Sequence, residues 1–288
     1  MMISAVVLTY NEETILGSCL KALHFVDEII VFDSFSTDTT LDIAKSYKAR
    51  VIQRDFDNYA SQRNAALSAV GKEFDWILMV DADEIVTPEL KTEILEKTKI
   101  ANAVTMYRVR RKDMYQNKWI KQSSGYPTWF PRLFKNGRVS VEREINEEYI
   151  TTGKIGALNA HLIHFPFNKG LAWWFDKHNR YSTMEASKIA VEIDERISYG
   201  NLFAKDPVVR RKAQKRLSYR IPFRPLFVFF AFYILKGGFL NGRAGYNYCR
   251  LRKTYEWMIA MKIKELRTSG GNYKISNAHR DPGIDLNE

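Results

Sequence analysis

Between Ile3 and Val80 the chain switches repeatedly between two hydrophobic periods. Ile3–Leu8 is an almost unbroken apolar run ending in Thr9-Tyr10-Asn11-Glu12-Glu13, after which apolar residues return at Ile15, Leu16, Cys19, Leu20 and Leu23 with the spacing of a helix face. The unit repeats. Glu28–Phe32 reads as a strand ending at Asp33-Ser34-Phe35-Ser36-Thr37-Asp38, with Thr39 placed to cap a helix through Leu41, Ile43 and Ala44. Arg50–Gln53 is a third, short strand, followed by a helix over Asn58–Val70. Trp76–Val80 is a fourth, closed by Asp81-Ala82-Asp83-Glu84. Thr87-Pro88-Glu89 then opens another helix with a cap residue and a proline at its first position. Strand and helix alternating in this way predict an α/β fold, a mostly parallel Rossmann-like sheet with helices on both faces.

In such a sheet ligands bind in the crevice beyond the carboxyl ends of the strands. Three of the four strands end there in polar or acidic residues, at Asn11-Glu12, Asp33 and Asp81/Asp83. Two carboxylates one residue apart can hold a hard divalent cation by oxygen and leave positions for phosphates; the plain alternative is an acidic strand-to-helix turn. The chain has no Gly-x-Gly-x-x-Gly and no Gly-x-x-x-x-Gly-Lys-Ser/Thr, so the two common glycine-based phosphate cradles are excluded. A cation on Asp81 and Asp83 would hold a diphosphate instead. Asp33 and Glu12 are candidates to accept hydrogen bonds from a base and a ribose.

Four segments, VVLTYNEE at 6–13, IVFDSFSTDTT at 30–40, QRNAAL at 62–67 and DWILMVDADE at 75–84, resemble in their order and spacing the nucleotide-sugar domain of family 2 glycosyltransferases. The resemblance implies a GT-A fold. It also implies Thr9, Tyr10, Glu12, Asp33 and Ser36 around the base and ribose of the donor, Arg63 and Asp81 near the diphosphate, and Asp83 as the main ligand of Mg²⁺ or Mn²⁺, with Asp81 beside it. Phe35 stands where the family often has Gly, a change expected to act on loop geometry.

Beyond Leu95 the pattern predicts a strand over Ala103–Arg110, an aromatic loop over Met114–Trp129, and a strand containing Pro131-Arg132-Leu133-Phe134. Loops here would line the acceptor side, where Trp119, Tyr126 and Trp129 offer flat faces for sugars or for ordinary packing. Val141–Glu148 is a second acidic cluster. An inverting transferase must take a proton from the attacking hydroxyl, and a carboxylate is the usual base in sugar chemistry. Glu147 is the first candidate, in Ile145-Asn146-Glu147 where the family's lipopolysaccharide-core members read roughly Val-His-Glu, and Glu144 is the second. His161 and His164, three apart on a strand over Leu158–Phe165, face opposite ways; the resemblance offers His164 as a further metal ligand. Lys177-His178-Asn179-Arg180-Tyr181-Ser182 is similar to a Lys-x-Asn-Arg-Tyr-Ser segment of the same enzymes. On a helix, Lys177, Arg180 and Tyr181 share a face able to meet an anionic acceptor head group.

Charge adds a partner. The net +11 is uneven: residues 1–150 carry 20 Lys/Arg against 22 Asp/Glu, or −2, and residues 151–288 carry 24 against 11, or +13. An excess of that kind points to an anionic partner. Lys205–Arg224 holds eight basic residues and one acid, and Leu226–Leu235 follows as ten apolar residues. That run is about half of the roughly 20 residues a spanning helix needs. The expectation is a helix lying in the interface of an anionic membrane. Nucleic acid is the poorer partner, because the basic segments adjoin a long apolar run rather than isolated stacking aromatics. Gly237–Tyr246 should break the helix, with Phe-Leu-Asn-Gly where the family reads nearer Phe-Leu-Asp-Gly, before a last amphipathic helix to about Leu266. Two distant cysteines, Cys19 and Cys249, and a start without a basic n-region predict a cytoplasmic protein, peripheral on the inner face of the cytoplasmic membrane. The expected plan is a GT-A nucleotide-sugar and acceptor domain over 1–165, a helical, basic membrane-associating region over 166–267, and a mobile polar tail over 268–288.

Together these readings predict an inverting, metal-dependent transfer of sugar from a nucleotide-sugar, a UDP-sugar first, to a lipid-linked saccharide. A polyprenyl-phosphate sugar synthase, whose ionised acceptor needs no base, is one alternative; a non-catalytic membrane adaptor with a degenerate sugar-nucleotide fold is another.

Overall fold

The computed structural model describes residues 1–100, 103–142, 148–192, 199–203, 210, 213 and 217–268. In chain order the elements are β1 (Ile3–Thr9), α1 (Leu16–Ala22), β2 (Glu28–Asp33), α2 (Thr40–Ser46), β3 (Arg50–Gln53), α3 (Tyr59–Ser68), β4 (Trp76–Asp81), β5 (Glu84–Val86) and α4 (Pro88–Lys99). They continue as β6 (Val104–Tyr115), β7 (Lys118–Trp119), β8 (Trp129–Lys135), β9 (Val139–Glu142), β10 (Glu148–Thr151), β11 (Lys154–His164), α5 (Gly170–Glu192), α6 (Arg224–Phe230) and α7 (Gly242–Thr268). The described residues of the chain divide into two compact units, Met1–Met114 with Gly125–Asn168, and Tyr115–Ser124 with those between Lys169 and Thr268.

The first unit is an α/β layer structure. Strand order is β3-β2-β1-β4-β8-β6-β11-β5. Successive side chains on a strand point to opposite faces, and both faces are buried here. Ala5, Val7, Leu78 and Val80 meet Leu16, Leu20, Ala44, Leu90 and Ile94 of α1, α2 and α4 on one side. Val6, Ile77 and Met79 meet Ala66 and Val70 on the other. Two-sided burial explains why these strands read as continuous apolar runs. β1 pairs in parallel with β2 and β4, with Thr9 opposite Asp33 and Leu8 opposite Asp81, so three strand ends finish level.

The parallel arrangement holds for β3-β2-β1-β4 and gives way to mixed pairing beyond it. β8 is antiparallel to β4 and to β6, β11 is parallel to β6, and β5 is antiparallel to β11. Antiparallel neighbours need only short turns where parallel ones need long crossovers, and among the described residues no helix of the first unit follows β6. The strand expected over Ala103–Arg110 runs on to Tyr115.

Two caps form as the sequence implies: Asn58 accepts from Ser61 N at 2.8 Å and Thr87 from Leu90 N at 3.2 Å, with Pro88 opening α4. Thr39 does not. It sits at the N-cap of α2 with φ −76° and ψ 9° rather than the extended backbone of a capping residue, makes no side-chain cap bond, and donates its hydroxyl to Glu13 Oε2 at 2.8 Å. Phe35 keeps the left-handed backbone that glycine would adopt, with φ at +56°. An L side chain there costs about 1–2 kcal/mol, only partly offset by the greater chain entropy that glycine loses on folding. Phe35→Gly is therefore expected to raise unfolding stability by about 0.5–1 kcal/mol, read by urea titration; a loss would show that the ring contributes packing.

In the second unit α5 and α7 pack through Ala186, Ile189, Ile259 and Ile263. Lys262 of α7 donates to Asn179 O, Asn179 Oδ1, Ser182 Oγ and Thr183 Oγ1 at 2.6–2.8 Å. α6 continues into a π-turn over Ala231–Leu235, and a single 3-10 turn over Gly238–Asn241 leads into α7, the two helical stretches meeting at 71°. The break expected over Gly237–Tyr246 is thus confined to its first half. Glycines make it possible. A Cβ on Gly245 would run into the Gly238 carbonyl, and one on Gly238 would meet Phe232 O and Cys249 Sγ. Around this bend Leu235 is 84%, Leu240 65%, Phe227 59% and Phe230 55% exposed. Among the described residues no single helix is long and apolar enough to cross a membrane. The segment 269–288, expected as a tail, lies outside the described residues.

Candidate active site

Beyond the level ends of β1 and β2, Asp33 is fully buried and its carboxylate organises the loops. It accepts from Thr9 Oγ1 at 2.9 Å, Ser36 N at 2.9 Å, Gln53 Nε2 at 3.1 Å and the Ser36 hydroxyl. Four donors match the lone-pair capacity of a carboxylate. Ser36 Oγ in turn accepts from Asn11 N at 2.8 Å. Glu12, at the foot of α1, receives Asn168 Nδ2 at 2.5 Å, and its backbone N–H is held by Thr40 Oγ1 at 2.8 Å. Thr9, Asp33 and Ser36 are thus joined in one network, with Tyr10 and Glu12 in the segment that follows β1.

The end of β4 carries a denser set of charges. Asp81 Oδ1 accepts from Arg63 Nη2 at 3.1 Å and Oδ2 from Arg132 Nη2 at 2.7 Å. Burial alone would raise the Asp81 pKa, but the charges of Arg63, Arg132, Arg111 and His164 hold its carboxyl well below the usual carboxylate range. Arg132 also grips the fully buried Glu84 with two bonds, Nε to Oε2 at 2.7 Å and Nη2 to Oε1 at 2.9 Å. Glu84 Oε2 accepts from Asp81 N at 3.1 Å and so fixes the turn between them. Arg111 reaches both Glu84 and Asp113, at 3.4 and 3.1 Å.

Asp83 turns the other way, toward His164. His164 Nε2 lies 3.2 Å from Asp83 Oδ2, and Nδ1 lies 2.7 Å from Asp113 Oδ1. Burial would lower the imidazole pKa, but the Asp83 charge and the bond to Asp113 outweigh it and push it up to about 9. His161, three residues earlier, faces the opposite side and bonds Tyr126 Oη at 2.8 Å. Of the three residues expected to hold a cation, Asp83 and His164 are adjacent, while each oxygen of Asp81 already accepts from an arginine. Among the described residues no group of three or more His, Cys, Asp or Glu is placed to hold a metal ion.

Glu144 and Glu147 lie outside the described residues, between β9 and β10. In the second unit, Lys177 sits over the rings of Trp173 and Tyr181, at 4.7 and 5.6 Å, and Arg180 lies on the same helix. Sequence reading missed Arg132, Glu84, Arg111 and Asp113 as parts of the site. The available signal was an arginine inside the otherwise apolar Pro131-Arg132-Leu133-Phe134, which only a buried carboxylate partner could make tolerable.

The lipopolysaccharide core biosynthesis glycosyltransferase LpsC of Rhizobium meliloti (strain 1021) is 24% identical over 272 residues, 91% of each chain. An uncharacterized glycosyltransferase of Rickettsia prowazekii (strain Madrid E), RP128, is 28% identical over 200 residues, 65% of this chain and 68% of its own. Among solved structures, glucosyl-3-phosphoglycerate synthase from Mycobacterium tuberculosis, in complex with Mn²⁺, UDP and glucosyl-3-phosphoglycerate, aligns at 24% identity with a TM-score of 0.34, over 39% of this chain and 44% of that one. A likeness of that size has no bearing on the chemistry here. The family model for glycosyl transferase family 2 matches residues 4–155, the stretch that holds the Asp33 loop, both arginine–carboxylate contacts at Asp81, and the Asp83 turn. The chain belongs to glycosyl transferase family 2, and it is a glycosyltransferase.

Proposed function

We propose that this glycosyltransferase is inverting and cation-assisted, takes its sugar from a UDP-sugar, and passes it to a saccharide carried on a lipid at the inner face of the cytoplasmic membrane. The observation that carries the donor half of the reading is the Asp83–His164–Asp113 arrangement. Asp83 offers an oxygen ligand and His164 Nε2 a nitrogen, once that nitrogen has lost its proton. Asp113 fixes the other ring nitrogen, as a carboxylate behind a metal-binding histidine does. Two protein ligands leave the remaining positions of a Mg²⁺ or Mn²⁺ ion to diphosphate oxygens and water, so the residues fit the ion. When bound, such a cation neutralises the charge of a leaving diphosphate.

The chain supplies the rest. Thr9, Asp33 and Ser36 hold the loops that would frame the base, and Glu12 is assigned to accept from a ribose hydroxyl. On its place in the sequence, Glu147 is assigned to deprotonate the acceptor hydroxyl, with Glu144 next. A lipid-linked acceptor is supported by the likeness to LpsC along 91% of both chains and by the exposed apolar bend beside basic residues in the second unit. Lys177, Arg180 and Tyr181 are assigned to the acceptor head group.

The test is turnover across UDP-, GDP- and dTDP-sugars with Mg²⁺ or Mn²⁺, with nucleotide binding measured alongside by calorimetry. One donor used in a cation-dependent way supports the reading; absence of nucleotide binding overturns it. Glu147→Gln should lower transfer by about 10²–10⁴-fold and leave nucleotide affinity unchanged. Retained turnover would move the base to Glu144 or Glu142, and retained turnover in all three with a polyprenyl-phosphate acceptor would identify the synthase reading instead.

A further inference from the structure

β6 has two chemically different faces. Tyr107 and Val109 are buried in the core, and further along the same face Arg111 and Asp113 join the Glu84 and His164 contacts. The alternate residues Arg108, Arg110 and Lys112 point to the opposite face. There the sheet register sets three side chains in one row across three strands, because Arg110 is paired with Trp129 of β8 and with His161 of β11. The row is built. The Arg110 guanidinium stacks over the Trp129 ring at 5.2 Å and donates to the Asn159 carbonyl, and His161 is bonded to Tyr126 at 2.8 Å with the two rings stacked.

The arginines of this face lack a carboxylate partner: the ion pairs of β6 belong to Arg111 and Asp113, whereas among the described residues neither Arg108 nor Arg110 lies within ion-pair distance of a carboxylate. Burial and the charges of Lys112 and Arg110 push the His161 imidazole below its ordinary value, in keeping with a positive potential over the row. Trp129 keeps 38% of its surface exposed, a flat apolar face beside these cations.

We propose that the Trp129–Arg110–His161 row, flanked by Arg108 and Lys112, is a binding surface for an anionic saccharide, with a sugar ring on Trp129 and a phosphate or carboxylate on the arginines. An aromatic face and planar guanidinium donors are the pairing that recognises such a group. The inference rests on the proposed saccharide acceptor and narrows it: the acceptor carries negative charge away from its reacting hydroxyl. The row lies three residues, or roughly 10 Å along the strands, from the Asp113–His164 pair and on the opposite face. The β9–β10 hairpin, whose Tyr149 stacks on Phe134 at 5.4 Å, packs on that same side, so the strands flanking the Glu144–Glu147 segment belong to this face.

The experiment uses the full chain and two probes: a deacylated, phosphorylated lipopolysaccharide-core oligosaccharide, and the same oligosaccharide after phosphatase treatment. Calorimetry should find the phosphorylated probe bound about 10-fold or more tightly, the effect of one or two charge-assisted hydrogen bonds. Arg108→Glu, an exposed change, should reduce that preference to about 3-fold or less, and Trp129→Ala should weaken both probes. Equal binding of the two probes by the wild type, or an undiminished preference in Arg108→Glu, overturns the inference. Binding of the acylated, phosphorylated parent, run as a third probe in detergent, with none of the deacylated oligosaccharide would assign the anion to a lipid headgroup and overturn it too. UDP affinity, measured on the same samples, separates the two failures: its loss in the wild type sinks the proposed donor, while its retention without saccharide binding sinks only this row.

Discussion

Asp83→Ala is expected to lower sugar transfer by about 10³-fold or more, equivalent to ~4 kcal/mol of transition-state stabilisation. The size follows from position. Asp83 is the one carboxylate at the end of β4 that faces His164 rather than an arginine. Its loss removes the oxygen ligand while both arginine contacts at Asp81 remain. The same variant has a readout independent of turnover. Asp83 is the largest of the influences that raise His164 against burial. Without it, the imidazole pKa should fall from about 9 toward its ordinary value, followed by NMR titration of the metal-free protein. Turnover within about tenfold of wild type, or an unmoved His164, would remove Asp83 from the role assigned to it.

Arg132→Ala should have the largest effect on stability, a loss of about 3–5 kcal/mol. Arg132 and Glu84 are both buried, and the arginine's three bonds to Glu84 and Asp81 are 2.7–2.9 Å long. Taking two charges out of water is costly, and the pair is tolerable only while both partners are present. Removing the arginine strips the fully buried Glu84 carboxylate of its two shortest bonds to a guanidinium. The cause is tested by the double variant Arg132→Gln/Glu84→Gln, which should recover most of the loss in guanidinium unfolding, because neither charge is then stranded. A single-variant loss under about 1 kcal/mol would mean that Arg111 takes over the buried carboxylate.

The nucleotide half of the fold was legible because its physics is local. Val6-Val7-Leu8 and Ile77-Leu78-Met79 are buried on both faces, so their apolar runs mark strands, and the polar residues ending them mark the ligand edge. Asn58 and Thr87 cap helices through neighbours three residues on, which is also a local event. The rest depends on distance along the chain. Arg132 and Glu84 are 48 residues apart, and nothing near either names the other. The reversal of β5 onto β11, and the mixed pairing around β6, are decided by which edges remain after the parallel core has formed. Thr39 likewise answers to a distant partner, its N–H and hydroxyl both donating to Glu13, 26 residues earlier. Histidine spacing did transfer, because three residues on a strand reverse the face whatever the partners are: His164 reached Asp83 and His161 reached Tyr126.

The bend in the second unit is closed by backbone against backbone, at Gly238 and Gly245, where no side chain fits. Its angle is therefore written in two residues that contribute no surface. Leu235, Leu240, Phe227 and Phe230, which do contribute surface, have little part in holding that angle. Shape and stickiness are consequently separate heritable traits in this segment: mutation can retune what the bend presents, residue by residue, without the fold having to be found again, whereas a single added methyl at Gly245 would change the shape and leave the apolar character untouched.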